Sequence, residues 1–145
     1  MPKTHVSLYD GYRTTITSGS HITHADEPLS AGGTDLAPSP TEMLMGALGS
    51  CIAMTMKMYA ERKGWPLEGV EMELDFERFS SQDYPAYTGP EQFVHEIHEK
   101  IVLHGDLSEE QKLRLLEIAK KCPVSRVIEL PTFWQQMVVD DLPEE

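Results

Sequence analysis

SPTEMLMGALGSCIAMTMKMYAERKG, residues Ser39 to Gly64, is the stretch that decides how this chain folds. Ser39-Pro40-Thr41-Glu42 has the S-x-x-E form of a capping box, with proline at the first helical position, so a helix begins there. Arg62 and Lys63 suit the negative end of the helix dipole, Gly64 suits the left-handed cap, and Pro66 blocks continuation. Between these ends Met43, Leu44, Met45, Ala47, Leu48, Cys51, Ile52, Ala53, Met54, Met56 and Met58 leave almost no polar face before Lys57. A helix apolar all round is one buried on all sides. The expectation is therefore a long central helix over 39–64, covered by a sheet on one side and a partner subunit on the other. Gly46, Ala47, Gly49, Ser50 and Ala53 let other backbone approach closely around Cys51.

Upstream, residues 1–38 hold short alternating runs, Thr4 to Leu8, Tyr12 to Thr17 and His21 to Ala25, separated by Asp10-Gly11 and Ser18-Gly19-Ser20. Strands punctuated by turn residues in this way form an antiparallel meander. Asp26 to Pro38, rich in Pro, Gly, Asp and Ser, makes a surface loop. Downstream, 69–104 reads as a strand pair. Val70 to Phe79 alternates Met72, Leu74 and Phe76 with Glu71, Glu73, Asp75 and Glu77, and Gln92 to His104 places Phe93, Ile97, Ile101 and Leu103 on one face. Ser108-Glu109-Glu110-Gln111 is a second capping box, opening a helix through Lys121 with Leu115 or Leu116 and Ala119 on its apolar side. Pro123 breaks it and starts a short helix, Val124 to Leu130, so that helices fill 108–130. Phe133 to Val139 reads as a last strand and Asp140 to Glu145 as an acidic tail. The order of elements predicts one α+β domain over 1–145.

Composition narrows the function. With 40% hydrophobic and 25% charged residues the chain can build a core. Its 24 Asp and Glu against 12 Lys and Arg give a net charge of -12, which repels nucleic-acid phosphates and anionic lipid headgroups. The start MPKTHVSLYD lacks the apolar run of a signal peptide, and the uncharged stretch Met43 to Met56 is short for a membrane span. The expectation is a soluble, cytoplasmic protein with neither nucleic acid nor membrane as partner. Two cysteines are too few for a disulfide scaffold, so they are either inert core residues or redox-active thiols.

Cys51 sits mid-helix, where a small apolar filler is the bland alternative; a reactive thiol there needs a cation or strong donor brought from elsewhere, since burial disfavours the thiolate. Cys122 precedes Pro123 and occupies the N-cap of the short helix, where partial positive charge favours a thiolate; helix-end packing is the alternative. The two are 71 positions apart, and sequence alone does not bring them together. His21-x-x-His24 and His95-x-x-His98 lie in strands, where residues three apart face opposite ways, so neither pair chelates one ion and no metal is expected. No phosphate loop, nucleophile elbow or dinucleotide fingerprint is present.

Two segments carry a specific signal: Ser39-Pro40-Thr41-Glu42-Met43-Leu44-Met45-Gly46-Ala47-Leu48-Gly49-Ser50-Cys51, and Lys121-Cys122-Pro123-Val124-Ser125-Arg126-Val127-Ile128-Glu129. They resemble the two cysteine signatures of the OsmC/Ohr family, the osmotically inducible and organic-hydroperoxide-resistance proteins. The order of elements also fits over nearly the whole chain, and Met54 to Pro66 is more similar to the broad OsmC-like branch. The resemblance implies an OsmC-like fold with antiparallel sheets around a buried central helix in an intertwined homodimer. It implies a thiol peroxidase cycle in which Cys51 attacks a small organic hydroperoxide, becomes a sulfenic acid and is resolved by Cys122. It implies no bound cofactor, only an external thiol reductant, a dithiol or lipoyl group. The apolar neighbours Met45, Leu48, Ile52 and Met54 offer an oily approach suited to organic peroxides.

The Ohr branch activates its thiol with an arginine from the N-terminal strands and a glutamate directly after the helix-starting proline. Here that position is Thr41 and Glu42 comes one later, about 100° further round the helix, so Glu42 is either a thiol partner or only the capping-box acceptor. Arg13 lies in the right strand region to hold the thiolate as an ion pair, or is a solvated strand charge. Arg126 is a second candidate cation, or a helix-surface partner for acids. Two rivals stand beside the peroxidase: a non-catalytic binding dimer, and a thiol-based redox sensor.

Overall fold

In the computed structural model, which describes residues 3–142, the central helix α1 spans Pro40–Lys63. Its capping box is complete: Ser39 Oγ accepts the Glu42 amide at 3.3 Å, and the Glu42 carboxylate accepts the Ser39 amide at 2.7 Å and the Ser39 hydroxyl at 2.8 Å. At the other end Gly64 takes φ 66°, a left-handed conformation that glycine adopts without strain, and its amide closes onto the last carbonyls.

α1 lies on a hairpin of two long strands, β4 (Gly69–Ser80) and β5 (Phe93–His104), paired antiparallel from Gly69 opposite His104 to Ser80 opposite Phe93. This register puts Val70 opposite Leu103 and Met72 opposite Ile101 on the inner face, packed with Leu74 and Ile97 against the buried core. The helix contributes Met45, Leu48, Gly49, Ile52, Met56 and Ala60, a row at helical spacing. Burying Leu48, Ile52 and Met56 stabilises the fold by roughly 1.5–3 kcal/mol each. Gly49 is the point of closest approach, since a Cβ there would stand 2.8 Å from Leu74 Cδ1. The outer face is ionic, with Lys100 on Glu73, His98 between Asp75 and Glu96, and His104 on Glu71.

Burial on all sides is not reached within the single chain, where the side expected to meet a partner subunit is open. Leu44, Met54 and Met58, on α1 away from the hairpin, are 48%, 64% and 64% exposed, because one sheet can cover only one side of a helix. By length and composition the whole of α1 also suffices to cross a membrane, which the shorter run Met43 to Met56 does not suggest. Core helices pass the same test, and the buried row on the hairpin is that of one.

α2 spans Glu109–Ala119, again with a complete capping box between Ser108 and Gln111. It ends two residues before the expected Lys121, and Leu115, rather than the 40%-exposed Leu116, enters the core with no exposure. After a tight turn in which the Cys122 amide donates to the Ala119 carbonyl, α3 runs Pro123–Glu129 with Cys122 as its N-cap.

The N-terminal meander forms as expected: β1 (Thr4–Ser7), β2 (Thr14–Ser18) and β3 (His21–Ala25) pair antiparallel in that order. The loop from Asp26 to Pro38 is tied down by a buried carboxylate. Asp26 accepts the amides of Glu27, Thr34 and Leu36 and the Thr34 hydroxyl, while its own amide donates to the Pro38 carbonyl.

The expected last strand, 133–139, is not a strand in this chain. Phe133, Trp134, Met137 and Val138 are 90%, 82%, 83% and 102% exposed, and a segment without a neighbouring edge has no ladder to join. Of the acidic tail, Asp140 and Asp141 are exposed. Residues 1–2 and 143–145 lie outside the described ones.

Candidate active site

The helices α1 and α3 bring the two cysteines together. Cys51 is on the flank of α1, half-buried against the core cluster, and Cys122 is inside that cluster with no exposure at all. Both are free thiols. They are neighbours close enough that each alters the acidity of the other.

Cys122 is held like the serines that cap the other two helices. Its Sγ accepts the Ser125 amide at 3.2 Å and lies 3.0 Å from the Ser125 hydroxyl. Burial opposes its thiolate, but the Ser125 hydroxyl and amide, the neighbouring Cys51 and the Val124 amide outweigh it, leaving the thiol below its ordinary range. Cys51 shifts the other way. Burial pushes its thiol up, the Val124 amide partly offsets this, and the adjacent Cys122 adds to the rise. The hydroxyl of Thr55 donates to the Cys51 carbonyl at 2.7 Å and works in small part against the rise of the thiol. The pair can thus exchange a proton and can be oxidised by two electrons to a disulfide.

Glu42 is engaged in the helix cap, and its hydrogen bonds from the Ser39 amide and hydroxyl hold its carboxyl below the usual carboxylate range. Arg13, just before β2, is exposed and is not among the groups that act on either thiol. Arg126 is exposed on α3. Val124 and Ser125 do act on the thiols, and neither is among the candidate residues that the sequence singles out. A signal for Ser125 is present: Cys122-x-x-Ser125 repeats the three-residue spacing of Ser39 to Glu42 and of Ser108 to Gln111.

Two hollows flank the thiol helix. One, about 700 Å³, lies between α1 and β4 against Met45, Gly46, Gly49, Ala53, Met72 and Leu74, with Glu42 at its edge. The other, about 340 Å³, is bounded by Leu48, Ile52, Ile97 and Ser125, with Glu99 and Glu129 at its polar side. Of the four apolar neighbours expected around Cys51, Met45, Leu48 and Ile52 are buried and Met54 is not. Among the described residues no group of three or more His, Cys, Asp or Glu is gathered for a metal ion. The pairs His21, His24 and His95, His98 lie in β3 and β5.

Residues 32–135 match the family model described as OsmC-like protein. An uncharacterised protein of Bacillus subtilis (strain 168), YmaD, is 29% identical over 120 residues, which cover 79% of this chain and 76% of that protein. An OsmC like protein from Mycoplasma pneumoniae superposes with a TM-score of 0.70 at 19% identity, covering 89% of this chain and 87% of that one. An organic hydroperoxide resistance protein OsmC from Legionella pneumophila superposes with a TM-score of 0.63 at 19% identity, covering 88% and 89%. At these identities the superpositions speak for the fold: mixed α+β, antiparallel sheets and a central helix.

Proposed function

Since the chain belongs to the OsmC-like protein family, we propose that it acts in peroxide stress as a thiol-dependent peroxidase that reduces organic hydroperoxides. The observation that carries this reading is the meeting of Cys51 and Cys122, from helices far apart in the chain, as free thiols at the edge of an apolar core. Hydroperoxide resistance in the name of a structural neighbour agrees with it.

In the cycle, the Cys51 thiolate attacks the distal oxygen of the hydroperoxide; the O–O bond breaks, an alcohol leaves after taking up a proton, and Cys51 becomes a sulfenic acid. Cys122 then attacks that sulfur, forming the disulfide and releasing water. An external dithiol or lipoyl group reduces the disulfide. Cys51 is the peroxidatic residue because it is the partly accessible one. Cys122, sealed in the core, meets only a sulfur already beside it. No bound cofactor enters the cycle.

The functional unit in this proposal is a homodimer. The exposed apolar side of α1 and the exposed Phe133 and Trp134 are surfaces that a second copy would cover. Arg13, exposed in the single chain, is in this proposal the cation that a second copy brings to the thiolate.

The test is hydroperoxide consumption with dithiothreitol or dihydrolipoamide as reductant. Wild type turns over cumene hydroperoxide faster than hydrogen peroxide, Cys51→Ser is inactive, and Cys122→Ser stops after one turnover. Equal consumption by wild type and Cys51→Ser would sink the proposal. A thiol-based sensor is the second reading, favoured by the burial that pushes the Cys51 thiol up. It is distinguished by oxidation that stays stoichiometric.

A further inference from the structure

We propose that Ser125 is a positioning residue for the thiol pair, holding Cys122 Sγ with its hydroxyl and its amide as the thiolate that closes the disulfide once Cys51 has been oxidised. Its place in a cycle rests on the peroxidase reading, but its substance is geometric. The Cys122 sulfur has no exposure to water, so its charge can be stabilised only by the protein. Two donors from one residue converge on it, the amide at 3.2 Å and the hydroxyl oxygen at 3.0 Å. Ser125 is itself 8% exposed, and its hydroxyl has no other partner among the described residues. A thiolate has no proton to give, so the hydroxyl donates to it; hydrogen bonds to an ionised acceptor are about twice as strong as neutral ones, and the arrangement favours the ionised form.

Cys51 has no equivalent. The Thr55 hydroxyl, one turn on, donates to the Cys51 carbonyl at 2.7 Å, and what chiefly offsets the burial of Cys51 is the single Val124 amide. The asymmetry bears on the second step: after the Cys51 thiolate has attacked the peroxide, the charge that resolution needs is held on Cys122. When peroxide oxidises Cys51 to the sulfenic acid, the Cys122 thiolate attacks the Cys51 sulfur. An S–S bond forms, the S–O bond breaks, and hydroxide departs to become water with a proton from solvent. The thiolate sulfur is oxidised and the sulfenic sulfur reduced, so this step needs no further reagent.

Titration in the Cys51→Ser background, where Cys122 is the sole thiol, reads the effect directly from ultraviolet thiolate absorbance. Ser125→Ala raises the midpoint by roughly one pH unit, the worth of one hydrogen bond to a charged acceptor. Ser125→Thr, which keeps a hydroxyl, brings the midpoint back toward the parent value. Thermal melts of each variant establish that the protein titrated is folded. An unchanged midpoint in folded Ser125→Ala overturns the proposal. With both cysteines present and one equivalent of cumene hydroperoxide, Ser125→Ala accumulates more sulfenic acid, trapped by a 1,3-dione, than wild type. Equal trapping would overturn the role in disulfide closure. The titration contains no peroxide, so it stands or falls separately from the peroxidase reading, which fails if neither protein forms any sulfenic acid.

Discussion

The Asp26 carboxylate accepts three backbone amides and the Thr34 hydroxyl, which bring its pKa down to about 2, with the Thr34 hydroxyl the largest influence and burial working against it. A folded-state pKa below the unfolded one means that the ionised carboxylate stabilises the fold at every pH above the unfolded value near 3.8, and that this stabilisation disappears as pH falls through about 2. Asp26→Asn removes the charge at all pH values. Its melting temperature is expected to lie below that of wild type at neutral pH and to approach it in strong acid. Chemical or thermal melts across that range check this, and a constant gap would refute it. In the sequence Asp26 stands at the head of a loop, with no sign that its side chain organises residues 27–36. Its partners at Thr34 and Leu36 have no motif spacing, and their donors are mainly backbone amides.

At the scale of elements, caps and periods are readable from local sequence. Both capping boxes, the glycine stop of α1, the β4 alternation and the proline-led start of α3 lie within a few residues of what they determine. Ser39→Ala removes the acceptor for the Glu42 amide and the hydroxyl that contacts its carboxylate, and is expected to lower stability by about 1 kcal/mol. Glu42→Gln, which can still close the box, is expected to melt close to wild type. Denaturant unfolding of both variants decides whether Glu42 serves the helix end. Two features are not readable in this way. The sequence overstates the length of α2, because no stop residue stands between Ala119 and Pro123 and the turn into Cys122 ends the helix early. The juxtaposition of Cys51 with Cys122 is a packing outcome of α1, α2 and α3 around Leu115, with no trace in the spacing of either cysteine.

At the scale of the molecule, the segment 131–139 shows what a single chain leaves undone. Its alternation reads as a strand, but a strand requires a neighbour, and the exposed Phe133, Trp134, Met137 and Val138 have none in one chain. If a second copy covers them, as proposed, Trp134→Asp shifts the sedimenting species from dimer to monomer and abolishes a blue-shifted part of the tryptophan emission. Unchanged sedimentation would remove this segment from the interface. The acidic balance of -12 is shared over the chain, and four of its 24 carboxylates, Glu71, Glu73, Asp75 and Glu77, alternate along β4.

The complete burial of Cys122 beside the half-exposed Cys51 also fixes the direction of reduction in the proposed cycle. An incoming thiolate can reach only the Cys51 side of the disulfide, so the mixed disulfide forms there and Cys122 is expelled as the leaving group. Exchange is faster when the departing thiol is the more acidic one, and Ser125 waits at the sulfur that departs. The same enclosure that hides Cys122 from peroxide therefore gives regiochemistry to the step that restores the protein.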